Sequence, residues 1–216
     1  MKPVLIYCYD AWCGWCYGFT PVMKDLAAHY AGIADVEVLS GGMIIPTKPA
    51  HIRIAAGYIA NAYKDVEALT GVTFGEDYLW HIFNPEDSDW YPHSEKPAIA
   101  LCIFREFYPE RMLEFASDLQ TALHAEGRDL TDDEAYRHLL EKYSIQPEVF
   151  YEKLHDEFYR EQAYEEFSLV KQLQVNAYPT VLLQTEPAKF IMVARGYTPA
   201  ADIIAVLDQY LPQPGE

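Results

Sequence analysis

Cys13 and Cys16 sit in the run Trp12-Cys13-Gly14-Trp15-Cys16-Tyr17, two thiols separated by two residues where a strand-like stretch, Val4 to Tyr9, turns into a helical pattern. That placement fits a thiol–disulfide redox pair. The first sulfur falls at a helix N-terminus, where unpaired N–H groups and the helix dipole favour a thiolate, and the second falls one turn deeper. Cys13 is thus the expected attacking thiol and Cys16 the resolving one. A lone CxxC is also half of many zinc sites, so the motif needs support from the rest of the chain.

The elements that must hold this pair can be read on both sides of it. Phe19, Val22, Met23, Leu26, Ala27 and Tyr30 form an apolar stripe at helical spacing that needs a sheet to cover, and Asp35 to Leu39 reads as a second strand. Far downstream, a helical pattern through Ala163, Phe167 and Val170 gives way to Tyr178-Pro179-Thr180 and the apolar run Val181-Leu182-Leu183. Phe190 to Ala194 supplies a fourth strand, and Thr198-Pro199 reads as an N-cap with proline at the first position of a last helix carrying Ile203, Ile204, Leu207 and Leu211. Between the halves lie five helical patterns. They open near Pro49, at Ser94, at Pro109, at a capping box Thr131-Asp132-Asp133-Glu134, and at Pro147. The stretch from Gly71 to His93 is rich in aromatic residues, among them Phe74, Tyr78, Trp80, Trp90 and Tyr91, and is read as a surface facing the CxxC or as a hinge.

With the order βαβ, helical block, αββα, the chain resembles the thioredoxin superfamily and, within it, the DsbA-like branch with a helical domain inserted in the fold. The residues that carry the resemblance are Cys13-Gly14-Trp15-Cys16, the Tyr178-Pro179 pair matching the family's cis-proline loop, and Pro21, where thioredoxin-like proteins kink the first helix. The tryptophan inside the motif and the tyrosine after it are similar to the cytosolic FrnE type. The resemblance implies an α/β thioredoxin-like fold built from residues 1–48 and 157–216, interrupted by an all-helical domain at 49–156. It implies catalytic roles for Cys13, Cys16 and Pro179, substrate contacts from Trp12, Gly14, Trp15 and Tyr178, and a reaction that needs neither cofactor nor metal. The implied partners are protein or small-molecule disulfides or dithiols, with glutathione or a thioredoxin-type protein recycling the site. One departure stands out: the buried acid that many thioredoxins carry six positions before the first cysteine is replaced by Tyr7, with Asp10 the nearest carboxylate. A turn aspartate is usually an exposed cap or Asx-turn former, and Asp10 is read that way.

Composition limits the alternatives. The chain has 216 residues, 50% of them hydrophobic, enough for a substantial core, and its formal charge of −17 opposes binding to nucleic acid or to an anionic membrane surface. Met1-Lys2-Pro3 runs straight into the first strand without a signal-peptide pattern, which predicts a cytoplasmic protein and argues against a structural disulfide framework for the four cysteines. Cys8 and Cys102 fall in apolar patterns and are read as inert core residues. Gly14-Trp15 places no cation between the sulfurs, so the expected potential lies in the reducing half of the known range, roughly −270 to −180 mV. Two other function classes stay open. One is a glutathione-linked isomerase or transferase of related architecture, which usually has serine in place of Cys13. The other is a non-catalytic metal-binding or partner-binding module.

Overall fold

The first strand, β1 (Val4–Tyr9), is the sequence VLIYCY, β-branched, aromatic and apolar throughout, and it is buried on both faces because it lies inside the sheet. In the computed structural model, which describes residues 1–213, four strands are ordered β2-β1-β3-β4. β2 (Asp35–Ser40) runs parallel to β1, from Val4 opposite Asp35 to Tyr9 opposite Ser40. β3 (Thr180–Glu186) is antiparallel to β1 on its other side, with Cys8 opposite Thr180, and β4 (Lys189–Arg195) completes the sheet antiparallel to β3. Positions 214–216 of the second half expected at 157–216 lie outside the described residues.

The alternation of side chains along β1 assigns the helices to the two faces. Leu5, Tyr7 and Tyr9 point into the larger core, shared with α1 (Gly14–His29) and the final helix, while Ile6 and Cys8 point to the other face with Leu39, Leu182 and Val170. Between β2 and β3 come α2 (Arg53–Thr70), α3 (Glu76–Phe83), α4 (Glu95–Phe107), α5 (Met112–His124), α6 (Arg137–Lys142), α7 (Pro147–Leu154) and α8 (Glu157–Gln172). The final helix is α9 (Ala200–Leu207). α4 is buried along eight consecutive residues, Pro97 to Phe104, and is the axis of the helical part. Its side chains and those of the sheet belong to one continuous apolar core.

Three local expectations shift. The cap near residue 131 belongs to Asp132, whose carboxylate accepts from Glu134 N–H. Thr131 is drawn instead onto Asp129, which takes both its N–H and its hydroxyl at 2.8 Å, and the element that opens there is a 3-10 turn, Asp133–Tyr136, leading into α6. The helix expected to begin at Pro109 begins as a 3-10 turn, Pro109–Arg111, with α5 starting at Met112. At the chain's end Pro199, not Thr198, takes the cap position, and α9 starts one residue later than expected.

An ion pair between a buried glutamate and a half-buried arginine ties β2 to the helices. Glu166 of α8 accepts from Ser40 N–H at 3.0 Å and from Arg105 of α4 at 2.5 Å, while Arg105 also donates to the Val38 carbonyl at 3.0 Å. Burial pushes the Glu166 carboxyl pKa up, and Arg105 opposes that shift. Arg105→Met would leave this carboxylate with the Ser40 N–H as its one strong donor, so it should cost about 1–2 kcal/mol, read as a lower midpoint in urea denaturation, with Glu166→Gln costing less.

Candidate active site

Cys13 is the N-cap residue of α1. Its backbone is extended (φ −85°, ψ 108°), and its sulfur accepts the N–H of Cys16 at 3.3 Å. The same sulfur lies 3.6 Å from the carbonyl oxygen of Tyr178, which the thiol proton reaches. No acidic side chain occupies the first turn of the helix, so nothing there opposes a negative sulfur at its N-terminus. Cys16, one turn in, has no solvent exposure, and burial holds its thiol well above the usual range, with Cys13 adding to the rise. One sulfur is thus set at a surface cleft with a donor pointed at it, and the other is protonated and enclosed.

The first turn of α1 is gripped from below. Tyr7, at the position of the absent acid, is fully buried and donates its hydroxyl to the Cys16 carbonyl at 3.3 Å. Thr20 donates to the same carbonyl at 3.4 Å. Gln120 of α5, in the orientation that satisfies both ends of its amide, donates to the Cys16 carbonyl (3.2 Å) and to Thr20 Oγ1 (2.9 Å) and accepts the Tyr17 N–H (3.0 Å). Burial keeps the Tyr7 phenol neutral, so it acts as a fixed donor.

Asp10 overturns the reading of a surface turn residue. It is buried, and its carboxylate accepts from Trp12 N–H (3.0 Å), Ser94 Oγ (3.0 Å) and Met43 N–H (2.7 Å). The Trp12 bond is an Asx turn, as expected, but the other two donors reach it from the segment after β2 and from the start of α4. Burial raises the Asp10 pKa, and these three hydrogen bonds work against the rise.

Trp12 spends its indole N–H on the His93 carbonyl (2.9 Å) and packs edge-on against Trp90. Gly14 opens α1 directly under Phe74, where a Cβ would lie 3.3 Å from the ring. Trp15 is half-buried beside Tyr197. The Tyr178–Pro179 bond is cis. The ring of Tyr178 covers Gly41, where any Cβ would be about 2.1 Å from it, and its hydroxyl donates to the Gly41 carbonyl at 2.8 Å. Trp12, Cys13, Gly14, Trp15 and Tyr178 border one cleft of about 270 Å³, and Pro179 is not among its lining residues. The cleft's far wall is α2 with Phe74 and Tyr78.

Sequence reasoning did not reach Gln120, Ser94 or the α2 wall. The α2 wall had a signal: Ala55, Ile59, Ala62 and Val66 recur at helical spacing. Cys8 and Cys102 are buried, with thiols pushed up to about 12 mainly by burial, so neither is activated. Among the described residues no three His, Cys, Asp or Glu side chains gather into a metal-ligand set, and no helix is long and apolar enough to cross a membrane.

His124, at the end of α5, lies beneath the site, stacked on Tyr17 and edge-on to Phe74 and Tyr78. Neither ring nitrogen makes a hydrogen bond of good geometry, and burial, opposed by the Ala11 main chain, drives its pKa down to about 3. The unfolded chain, with a histidine pKa near 6.5, binds the proton more readily. The stability this neutral ring contributes is therefore present above about pH 6.5 and lost as pH falls toward 3, by about 1.4 kcal/mol per pH unit. In His124→Phe, denaturation midpoints measured between pH 6.5 and 4 should fall less steeply than in the unaltered chain.

No protein-family model matches this chain, and no curated protein matches it in sequence. Solved structures do match. A Nitrosomonas europaea protein with the provisional name protein disulfide isomerase aligns over 97% of this chain and 98% of its own, at 21% identity and TM-score 0.83. The cytosolic disulfide reductase DsbM of Pseudomonas aeruginosa aligns over 95% of this chain and 97% of its own, at 25% identity and TM-score 0.73, and has also been solved with GSH. A 2-hydroxychromene-2-carboxylate isomerase aligns over 95% and 93%, at 11% identity and TM-score 0.64. The chain therefore has a DsbA-like thioredoxin fold with a helical insertion.

Proposed function

We propose that this chain is a thiol–disulfide oxidoreductase in which Cys13 attacks and Cys16 resolves. The observation that carries the reading is the asymmetry of the pair: Cys13 Sγ caps α1 at the cleft, with the Cys16 N–H 3.3 Å away, while Cys16 is buried and held protonated. The Cys13 thiolate displaces one sulfur of a substrate disulfide, forming a mixed disulfide and releasing a substrate thiolate. Cys16 then loses its proton and attacks Cys13, forming the Cys13–Cys16 disulfide and releasing the second substrate thiolate. Two electrons pass to the substrate. Run backwards, the protein disulfide accepts two electrons from a dithiol.

Trp12, Gly14, Trp15 and Tyr178 serve as substrate contacts, and Pro179 holds the Tyr178 main chain beside Cys13. The Tyr178 N–H has no partner among the described residues, which supports its pairing with an extended substrate. A glutathione or thioredoxin-type reductant would recycle the site, and the DsbM structure with GSH supports the former. The proposed place of action is the cytosol, as DsbM's name records for that neighbour. The isomerase neighbour shares the architecture at only 11% identity, and the intact dithiol here favours redox chemistry.

Equilibration of the purified protein with glutathione, followed by alkylation and mass spectrometry, tests the reading. A reversible Cys13–Cys16 disulfide with a potential of roughly −270 to −180 mV is expected. Cys16→Ser should accumulate mixed disulfides through Cys13, visible on a non-reducing gel, and Cys13→Ser should form none. Thiols that stay reduced at every glutathione ratio would reject the assignment.

A further inference from the structure

On the redox reading above, we infer that Tyr7 is the hydrogen-bond donor to the Cys16 sulfur as that sulfur becomes a thiolate. It thereby speeds the resolving step without giving up its own proton.

The crowding of the Cys16 carbonyl is the first argument. Three side-chain donors are aimed at it: the hydroxyls of Tyr7 and Thr20, at 3.3 and 3.4 Å, and the Gln120 amide at 3.2 Å. A carbonyl oxygen has two lone pairs, so one donor is surplus, and both hydroxyls stand beyond the roughly 2.5–3.0 Å of a good O–H···O bond. Thr20 and Gln120 have each other, paired at 2.9 Å, and Gln120 also accepts the Tyr17 N–H. Among the described residues the Tyr7 hydroxyl has no second hydrogen bond. It is the donor free to turn.

Where it can turn is the second argument. The Tyr7 ring packs against those of Tyr9 and Phe19, at centroid distances of 5.6 and 5.9 Å, so its O–H bond rotates on a fixed ring. That hydroxyl reaches the Cys16 side chain as well as the carbonyl, and a negative charge on Cys16 is among the causes that hold the phenol protonated. A buried anion is favoured by a donor that keeps its proton. The third argument is the setting of the sulfur, which has no solvent exposure. Cys13 and Asp10 each oppose a second negative charge there, and the phenols of Tyr9 and Tyr178 nearby are kept neutral mainly by burial. The Asp10 main chain joins Tyr7 in favouring the thiolate. In the resolving step Cys16 Sγ bonds to Cys13 Sγ, the bond from Cys13 to the substrate sulfur breaks, and its electron pair leaves with the substrate. The Cys16 proton passes to that departing thiolate or to solvent. The Tyr7 hydrogen bond moves from carbonyl to sulfur as the charge appears and returns once the disulfide has formed.

The test mixes the reduced protein with an equimolar amount of dithiobis(nitrobenzoate), whose coloured thiolate is released once when Cys13 attacks and again when Cys16 resolves. Tyr7→Phe keeps the ring against Tyr9 and Phe19 and removes only the hydroxyl. It should leave the first release unchanged, slow the second by about tenfold or more, and move the pH profile of the second upward by about one unit. The equilibrium with glutathione should stay within about twofold, because neither the dithiol nor the disulfide holds a charge on Cys16. Thr20→Val removes a different donor from the same carbonyl and should leave the pH profile of the second release in place, which separates a looser turn from a lost donor. A second release in Tyr7→Phe with unaltered rate and pH profile, or an equal shift in Thr20→Val, would overturn the inference while leaving the redox reading intact. If the unaltered protein gave no second release at any pH, Cys16 would not be a resolving thiol, and the redox reading would fall together with this inference.

Discussion

A single buried carboxylate organises the site. Asp10 leaves β1 at its C-terminal end, and there its two oxygens collect the Trp12 N–H, the Ser94 hydroxyl and the Met43 N–H. These donors belong to three segments far apart in sequence: the turn before the dithiol, the chain leaving β2, and the start of the central helix α4. A carboxylate without partners at this depth would be costly to bury, and each of the three donors offsets part of that cost. Ser94 reinforces the junction, donating its N–H to the Ile44 carbonyl and accepting the Ile44 N–H on its hydroxyl. The position of Cys13 is set by this junction as much as by the strand before it, since the Asp10 carbonyl also accepts the Cys13 N–H.

Above that junction, the two thiols experience different surroundings at a spacing of only three residues. Hydrogen bonds from Tyr7, Thr20 and Gln120 converge on the Cys16 carbonyl and fix the turn, while the sulfur of Cys16 has no exposure. Cys13, one helical turn away, has the cleft. The phenol at the position usually held by an acid changes the local chemistry: it can donate to the turn but, being buried and neutral, does not take up a proton as a carboxylate would. Glycine makes the close packing around the pair possible. Gly41 admits the Tyr178 ring and Gly14 admits Phe74, each where a side chain would press on its neighbour.

What the sequence made legible follows from the range of the interactions involved. Val4–Tyr9 was readable to the residue because an uninterrupted apolar run is a local signal, and the N-cap position of Cys13 followed from the strand-to-helix change. Asp10 was misread because its deciding partners lie 33 and 84 positions away, whereas the Asx turn that marks a surface residue lies two positions away. Thr131 lost its cap to Asp132 through a competing local bond to Asp129 that no capping-box pattern contains. The helix of α2 was visible as a pattern, but its role was not: only the fold brings Ala55, Ile59 and Ala62 to the cleft beside Cys13.

The sheet order also determines when the site can come into existence. β1 is central, yet its antiparallel partner pairs Val4 with Gln184, so the strand that completes it is made 180 residues later. At synthesis rates of about 5–20 residues per second, roughly 8–33 s separate the emergence of the dithiol from that of Tyr178, which is to stand against it. Through that interval the nascent chain carries two thiols without their shelter and a β1 edge open to mispairing. The cleft beside Cys13 is complete only once Tyr178 and β3 have been made, so the pair acquires its surroundings long after its own residues are in place.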